Sequence, residues 1–196
     1  MRIIAGEFGG RKLLPPPTEA TRPITDRAKQ SLFDALGDRL EGANVLDAFA
    51  GTGSMGLESL SRGAIRVVFV ERDRGAILNL RKNIAALGVK RLSVVLPIDA
   101  YRAIRHPELT GEAAAPVDVA FIDPPYAHTE PGREHARLER LLAELAATLL
   151  SPDGLISLRH PSQVSIASLV PQGFELAREL TYGSMRISWL LRESHG

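Results

Sequence analysis

The chain has no cysteine, and this absence excludes disulfides, thiolate metal sites and cysteine nucleophiles. It also has no apolar run long enough to cross a membrane. The first residues reach charge and glycine too early for a signal peptide. We therefore expect a soluble protein of the cytoplasm with no membrane partner.

Neither sign of charge is in large excess, because 24 Lys and Arg residues face 23 Asp and Glu residues and the formal net charge is +1. A protein with this balance does not bind nucleic acid through composition alone. The first 29 residues nevertheless contain six basic and three acidic residues. A basic patch would give this local excess, and so would the ordinary scatter of charge over a solvated surface.

Metal-binding and hydrolase patterns are also missing. The five histidines, at positions 106, 128, 135, 160 and 195, lack the spacing of metal ligands, and no Ser-His-Asp arrangement can be argued from Ser54 or Ser184. We therefore predict that the protein holds no metal and that its histidines are surface or loop residues.

The distribution of apolar residues predicts an α/β protein. Short apolar runs alternate with amphipathic segments, which is typical of a parallel sheet covered by helices on both faces. The strands are predicted at 44–47, 66–70, 92–96, 117–122 and 155–158, and the helices at 54–62, 73–87, 99–105 and 134–150. The segments 174–181 and 185–191 predict an antiparallel hairpin at one edge.

An N-terminal extension precedes this core. Early glycines and three consecutive prolines predict an extended arm or a small hairpin, after which Thr25 can cap a helix that ends near Gly42. A length of 196 residues with 44% hydrophobic content suits one compact domain. We therefore predict a single domain over 1–196, with the arm and helix in 1–40 and the core in 41–196. The weak loops are predicted at 107–116 and 127–133.

A glycine-rich turn follows the first predicted strand. Gly51, Gly53 and Gly56 satisfy the G-x-G-x-x-G fingerprint, whose glycines let the backbone approach a ligand at a helix N-terminus. The fingerprint alone is weak, because it would equally suit the dinucleotide of an NAD(P)-dependent oxidoreductase.

Acidic residues beside this turn favour a different cofactor. Asp47 would repel a pyrophosphate, whereas S-adenosylmethionine carries a sulfonium and an ammonium and no phosphate. Glu71 ends the next strand, where an acidic side chain can accept the ribose hydroxyls, and Asp99 follows the third strand, where it could meet the adenine amino edge. Taken singly, each of these acidic residues could also be a polar residue that merely marks the end of a buried strand. Their joint placement predicts S-adenosylmethionine.

The segment Asp123-Pro124-Pro125-Tyr126 ends another strand and predicts the reaction. An exocyclic amino group of a base is a poor nucleophile because its lone pair is delocalised into the ring. A carboxylate oxygen of Asp123 and the carbonyl of Pro124 can each accept one N–H and orient the nitrogen, while Tyr126 offers a stacking face. A proline-stiffened turn with an aspartate cap is the structural alternative.

This chemistry leaves several functions open. A DNA or RNA adenine or cytosine amino-methyltransferase would use the same turn, although a DNA enzyme normally needs more chain for sequence readout. A non-catalytic RNA-binding protein would keep the basic arm and ignore the cofactor. The NAD(P)-binding oxidoreductase is the remote alternative.

The sequence resembles the RsmD-type bacterial methyltransferases, which modify N2 of a guanine in small-subunit (16S) ribosomal RNA. The resemblance covers nearly the whole chain. It includes Arg2-Ile3-Ile4-Ala5-Gly6, Gly10-Arg11-Lys12-Leu13, Thr21-Arg22-Pro23-Ile24-Thr25-Asp26-Arg27, the loop from Asp47 to Glu58, Glu71, Asp123 to Tyr126, and Tyr182-Gly183. Two segments depart from the family pattern: Leu158-Arg159-His160 replaces an acidic strand end, and Ser184-Met185-Arg186 replaces a region that tends toward threonine.

The resemblance implies a Rossmann-like class I S-adenosylmethionine-dependent methyltransferase fold, with a seven-stranded, mostly parallel sheet. It implies cofactor contacts at Asp47, Phe49, Ala50, Gly51, Thr52, Gly53, Glu71, Arg72, Asp99 and Ala100, and catalytic contacts at Asp123, Pro124, Pro125 and Tyr126. Arg22 and Arg27 would then help to hold RNA or complete the cofactor pocket. With the other basic residues of the arm, the expected RNA contacts are Arg2, Arg11, Lys12, Arg22 and Arg27. The expected partner is the assembled small subunit or a late precursor, and the expected state of the enzyme is a monomer.

Overall fold

The computed structural model describes residues 1–16, 24–112 and 114–193. The chain forms two compact units, Met1–Ala100 and Tyr101–Gly196. Arg22, one of the expected RNA contacts, lies outside the described residues. None of the described helices is long and apolar enough to cross a membrane.

The first unit opens with a small hairpin, as the glycine pattern predicts. Arg2 and Lys12 form an antiparallel bridge, and the amide of Ile3 donates to the carbonyl of Arg11 at 2.9 Å. Ile3 and Leu13 are buried. The hairpin is therefore anchored by apolar side chains and exposes its basic ones.

Helix α1 (Asp26–Leu36) follows the hairpin. The hydroxyl of Thr25 accepts the amide of Ala28 at 3.2 Å and caps the helix, as predicted. The α-helix ends earlier than predicted because Gly37 adopts a φ of 54°, and the chain continues as a short 3₁₀ helix, Gly37–Leu40.

Three parallel strands form the centre of this unit. They are β1 (Asn44–Ala48), β2 (Arg66–Val70) and β3 (Ser93–Leu96), with β2 between the other two. Helices α2 (Ser54–Ser61) and α3 (Arg74–Leu87) connect them. Four residues of each of β1 and β2 are buried, as expected for strands covered on both faces.

The second unit contains the remaining strands. Helix α4 (Ala100–Ala103) starts at the boundary, and α5 (Pro107–Thr110), β4 (Val117–Ile122) and α6 (Arg133–Thr148) follow. Strands β5 (Leu150–Pro161), β6 (Phe174–Tyr182) and β7 (Met185–Arg192) complete it. Strand β5 is parallel to β4 and antiparallel to β7, which also pairs antiparallel with β6.

The seven strands are ordered β3-β2-β1-β4-β5-β7-β6. This order, with its C-terminal antiparallel hairpin, confirms the predicted fold class. Two local predictions were wrong. The stretch predicted as a loop over 107–116 contains α5, which starts at Pro107 and is capped by the side chain of His106. Strand β5 begins at Leu150, before the predicted position, because its first residue pairs with Val117.

Candidate active site

The loop between β1 and α2 is held in an unusual backbone conformation. Phe49 has a positive φ of 65°, which is rare for a non-glycine residue, and Gly51 and Gly53 have φ values of 55° and 86°. The amide of Ala50 donates to the carbonyl of Val70 at 3.0 Å, which fixes the loop to the end of β2. Local strain of this kind is typical of ligand sites.

Glycine is required at the positions of the fingerprint for different physical reasons. A side chain at Gly56 would collide with Phe69 and Val67, so this position lets α2 pack closely on β2. Among the residues that the structure describes, no atom lies within 4 Å of the place where a Cβ of Gly51 would be, so glycine is required there for its positive φ. Thr52, within the same loop, is buried.

Asp47 lies at the tip of β1 and is only 1% exposed. Its Oδ2 accepts the amide of Gly56 at 2.9 Å, in the first turn of α2. A carboxylate is favourable there because the amino end of a helix carries partial positive charge. Asp47 therefore holds the loop to the helix that follows it.

Glu71 follows β2 and binds three backbone amides. Its Oε2 accepts the amide of Gly51 at 2.8 Å, and its Oε1 accepts the amides of Arg72 and Asp73, each at 2.8 Å. Each carboxylate oxygen can accept two hydrogen bonds, so Oε2 retains capacity for a ligand hydroxyl. Glu71 thus joins the glycine loop to the start of α3.

Asp99 follows β3 and precedes α4, which begins at the buried Ala100. Arg72 lies 3.4 Å from it, measured between Nη1 and Oδ2. Because the Arg72 side chain is largely exposed, this ion pair contributes little to stability. The first unit thus contains every residue of the predicted cofactor set.

The catalytic turn predicted at 123–126 lies in the second unit. Asp123 directly follows β4, Pro124 is buried, and Pro125 leads into a short 3₁₀ helix, Tyr126–His128. The carbonyl of Pro125 accepts the amide of His128 at 2.8 Å, and the carbonyl of Tyr126 accepts the hydroxyl of Thr129 at 2.7 Å. These bonds make the turn rigid.

Arg159 on β5 contacts both polar side chains of this turn. Its Nη1 donates to Oδ2 of Asp123 at 2.8 Å, and its guanidinium carbon lies 5.6 Å from the centre of the Tyr126 ring. Burial raises the pKa of the Asp123 carboxyl above its ordinary value, and the positive charge of Arg159 opposes that rise. The sequence analysis did not assign a role to Arg159. Its only signal was the departure from the family pattern at Leu158-Arg159-His160.

His128, at the end of the turn, is half-buried. Its Nδ1 lies 2.7 Å from the hydroxyl oxygen of Tyr101, and the Arg137 guanidinium stacks on the Tyr101 ring at 4.1 Å. The prediction that the histidines are surface or loop residues was wrong for His160, which lies within β5 and is fully buried. Its Nε2 lies 2.8 Å from the hydroxyl oxygen of Ser188.

The basic residues expected to bind RNA are exposed where the structure describes them. Arg2, Arg11 and Lys12 lie on the N-terminal hairpin, and Arg27 lies on α1. Arg2 is bound to Asp26 at 2.8 Å. Lys29, which contributes to the basic excess of the first 29 residues, is not part of this surface, because it is only 1% exposed.

The strand order, the glycine loop after β1 and the acidic residue after β2 define the fold of class I S-adenosylmethionine-dependent methyltransferases. A solved structure from Escherichia coli, described as "Putative methyltransferase yhhF", matches with a TM-score of 0.82 and 32% identity over 98% of both chains.

The model of the family described as Conserved hypothetical protein 95 matches residues 1–190, and the chain belongs to this family. Bacillus subtilis (strain 168) has a relative named "Putative rRNA methyltransferase YlbH", which is 34% identical over 93% of this chain and 94% of its own length. The Escherichia coli (strain K12) protein named Ribosomal RNA small subunit methyltransferase D is 31% identical over 100% of this chain and 92% of its own length. The RsmD-type resemblance is therefore confirmed.

Proposed function

We propose that this protein transfers a methyl group from S-adenosylmethionine to the exocyclic N2 amine of a guanine in small-subunit (16S) ribosomal RNA. The observation that carries the proposal is the Asp123–Tyr126 turn in a chain that belongs to the family of Ribosomal RNA small subunit methyltransferase D. The choice of guanine N2 rests on the family resemblance.

The residues of the glycine loop fit S-adenosylmethionine better than a dinucleotide. A pyrophosphate needs free amides in the glycine loop and at the start of the helix, but the amides of Gly51 in the loop and Gly56 in α2 already donate to Glu71 and Asp47. The same two carboxylates suit a cofactor that carries positive charge and ribose hydroxyls.

The cofactor contacts that we propose are Asp47, Phe49, Ala50, Gly51, Thr52, Gly53, Glu71, Arg72, Asp99 and Ala100. The bound cofactor would supply an electrophilic methyl carbon on a sulfonium, an activated leaving group that needs no metal. Asp47 and Glu71 would act by holding the loop in its strained conformation. Glu71 would in addition accept one ribose hydroxyl through Oε2.

The turn acts on the amine. Asp123 and the carbonyl of Pro124 accept its two hydrogens, Pro125 stiffens the backbone, and Tyr126 stacks on the base. The nitrogen loses one proton as it gains the methyl group, and the carboxylate of Asp123 can accept that proton. Its raised pKa makes Asp123 a better base than an ordinary exposed aspartate.

The substitution Asp123→Ala should abolish methylation and leave cofactor affinity nearly unchanged, because the partner of Asp123 is the base. Turnover would be measured with labelled cofactor and hypomethylated small subunits, and cofactor affinity by calorimetry. Asp38→Ala, which replaces an exposed aspartate of the first unit, is the control and should retain activity. Equal loss of turnover and cofactor affinity in Asp123→Ala would contradict this assignment.

The substrate would be tested by mass analysis of nucleosides after reaction with small subunits, protein-free 16S RNA and duplex DNA. We expect N2-methylguanosine from small subunits or a late precursor. Methylated adenine or cytosine from any substrate would overturn the choice of target.

Because the proposed substrate is ribosomal RNA, we expect the reaction to take place in the cytoplasm.

We further propose that residues 1–196 work as a monomeric single domain, with the arm and helix in 1–40 and the catalytic core in 41–196. A single calorimetric transition with equal calorimetric and van't Hoff enthalpies is expected, together with a monomer in sedimentation. Two separate transitions would contradict the single domain.

A further inference from the structure

The second unit contains a positive charge directly beside the catalytic aspartate. Strands β4 and β5 are parallel, and Ile122 lies opposite Leu158. The residues that follow these two along the chain, Asp123 and Arg159, are therefore at the same level of the sheet. The Arg159 side chain is 12% exposed and the Asp123 side chain 33% exposed. The ion pair is therefore shielded on the arginine side and accessible on the carboxylate side.

The ion pair uses one carboxylate oxygen. Arg159 Nη1 donates to Oδ2 of Asp123 at 2.8 Å, which leaves Oδ1 able to accept a hydrogen from a substrate. Nη2 of Arg159 lies 3.5 Å from the hydroxyl oxygen of Tyr126, a long contact, and the guanidinium also faces the Tyr126 ring. One side chain thus restricts both the aspartate and the aromatic ring.

The charged groups Glu179 of β6 and Arg186 of β7 lie on the opposite face of the sheet from Arg159, whereas Arg178 of β6 shares the face of Arg159 and contacts the Trp189 ring. Successive residues of a strand alternate, so His160 points away from Arg159, toward Ser188. Glu179 of β6 accepts from both Ser188 and Arg186 on that face. Arg159 of β5 is thus the titratable group of the second unit that the structure records against Asp123, and Arg159 in turn faces Tyr126 of the turn.

We propose that Arg159 is a positioning residue of the methyl-transfer reaction, which fixes the orientation and charge of Asp123 and the position of the Tyr126 ring. This inference rests on the proposed function, because Asp123 and Tyr126 are the residues that would contact the base. Arg159 itself acts through them. An acidic residue in place of Arg159 would repel Asp123 instead of binding it.

The electrostatic reason gives a measurable consequence. Burial raises the pKa of Asp123 and Arg159 opposes the rise, so removal of the guanidinium raises the pKa further. A protonated Asp123 has lost the charge that holds an amine hydrogen and cannot accept the departing proton. The acidic limb of the pH–rate profile therefore moves to higher pH.

The test compares Arg159→Gln and Arg159→Lys with the unaltered protein. Opposite charges nearby lower a carboxyl pKa by about 1–3 units, so the acidic limb of kcat should rise by about 1–3 pH units in Arg159→Gln. In Arg159→Lys the acidic limb should stay close to its position in the unaltered protein, because the positive charge is kept. The KM for cofactor should stay within about twofold in both, since no cofactor contact is removed.

Arg105→Gln is the matched control, because it removes another arginine–carboxylate pair of the same unit, with Glu144, far from the turn in sequence. Its acidic limb should not move. An unshifted limb in folded Arg159→Gln, or equal effects of Arg159→Gln and Arg159→Lys, would overturn the proposal.

A titration without substrate separates this inference from the proposed function. Carbon-detected NMR of the Asp123 carboxyl, assigned by its loss in Asp123→Asn, should show a higher pKa in Arg159→Gln than in the unaltered protein. An unchanged pKa would overturn the role of Arg159 even if the enzyme methylates RNA. If no RNA is methylated and the pKa still shifts, the proposed function fails and the electrostatic coupling stands. Should Arg159→Gln not fold, the same titration on Arg159→Met, which also lacks the charge, replaces it: a higher pKa of Asp123 is expected, and an unchanged pKa would overturn the proposal.

Discussion

Lys29 and Glu58 form a buried ion pair next to the glycine loop. Their Nζ and Oε2 atoms are 3.0 Å apart, and both side chains are nearly without solvent exposure. Burial lowers the pKa of Lys29 and Glu58 opposes this effect. Lys29 also donates to the carbonyl of Arg2 and the hydroxyl of Ser54, at 3.0 Å and 3.1 Å. The buried charge of Lys29 is tolerated because these hydrogen bonds and the ion pair compensate for its lost hydration.

We predict that Lys29→Met lowers the free energy of unfolding by at most about 3–5 kcal/mol, because it breaks a buried ion pair and leaves Glu58 with only one of its two cations, Arg62. Urea denaturation monitored by circular dichroism measures the loss. The double substitution Lys29→Met with Glu58→Gln should lose less than the sum of the single losses, since it removes both charges of the pair. Additive losses would show that the two side chains do not act as a pair.

His160 provides a pH-dependent contribution to stability. Its burial lowers its pKa below the ordinary value of 6.5, so the unfolded chain binds the proton at a higher pH than the folded chain. The free energy of unfolding should therefore decrease as the pH falls below about 6.5, by at most about 1.4 kcal/mol per pH unit. Urea denaturation from pH 7.5 to 5 measures this slope. His160→Gln, which cannot titrate, should have a smaller slope, and an unchanged slope would contradict the prediction.

At the scale of elements, the N-terminal hairpin is joined to the cofactor loop through α3. Asn83 is buried on α3, where its Oδ1 accepts the amide of Leu14 at 2.8 Å and its Nδ2 donates to the carbonyl of Thr52 at 3.0 Å. Glu58 of α2 accepts the amide of Ile4 at 2.7 Å and that of Ala5 at 3.1 Å. Two helices thus hold the hairpin against the loop.

We predict that Asn83→Leu destabilises the protein by about 1–3 kcal/mol, because it leaves the Leu14 amide and the Thr52 carbonyl without a partner. Cofactor affinity should also fall, since Thr52 belongs to the loop. Asn79→Leu is the matched control on the same helix, because Asn79 makes a single, more exposed bond to the carbonyl of Pro15 at 2.9 Å. Thermal unfolding measures the stability of both variants, and calorimetry measures their cofactor affinity. Equal losses in Asn83→Leu and Asn79→Leu would contradict the prediction.

At the scale of the whole molecule, a net charge of +1 is too small to attract RNA by itself, so RNA binding depends on a local basic surface. The exposed basic residues of the N-terminal hairpin are the proposed phosphate contacts. Replacing Arg11 and Lys12 by Gln should reduce the salt dependence of RNA affinity, by about 0.7–0.9 in the logarithmic slope for each phosphate that is no longer neutralised. Filter binding to 16S RNA at several salt concentrations gives the slope.

The control for this measurement is Arg105→Gln, an exposed arginine that we do not propose as an RNA contact. Its slope should equal that of the unaltered protein. Equal slopes for all three proteins would contradict the assignment of the hairpin to RNA.

Most of the fold could be predicted because it depends on local patterns. The alternation of apolar runs and amphipathic segments predicts the strands, and Thr25 marks the start of α1. The pattern could not predict the early end of α1 at Gly37 or the presence of α5, because short helices depend on a few capping contacts.

The burial of Lys29 had a signal in the sequence. Lys29 shares the spacing of Leu32, Phe33 and Leu36, the apolar stripe of α1, and therefore lies on its buried face. The residue type alone indicates a surface position, because lysine is almost never fully buried without a partner. That partner, Glu58, comes from another helix, and its proximity depends on packing.

The sequence by itself determined the chemical groups at each strand end: a glycine loop with Asp47, an acid at position 71, and the Asp123–Tyr126 turn. These are local features, carried by neighbouring residues and their backbone preferences. Only the tertiary structure decided which charges meet. Arg159 reaches Asp123 across 36 residues because two strands pair in one register, and a shift by one residue would turn its side chain to the other face of the sheet.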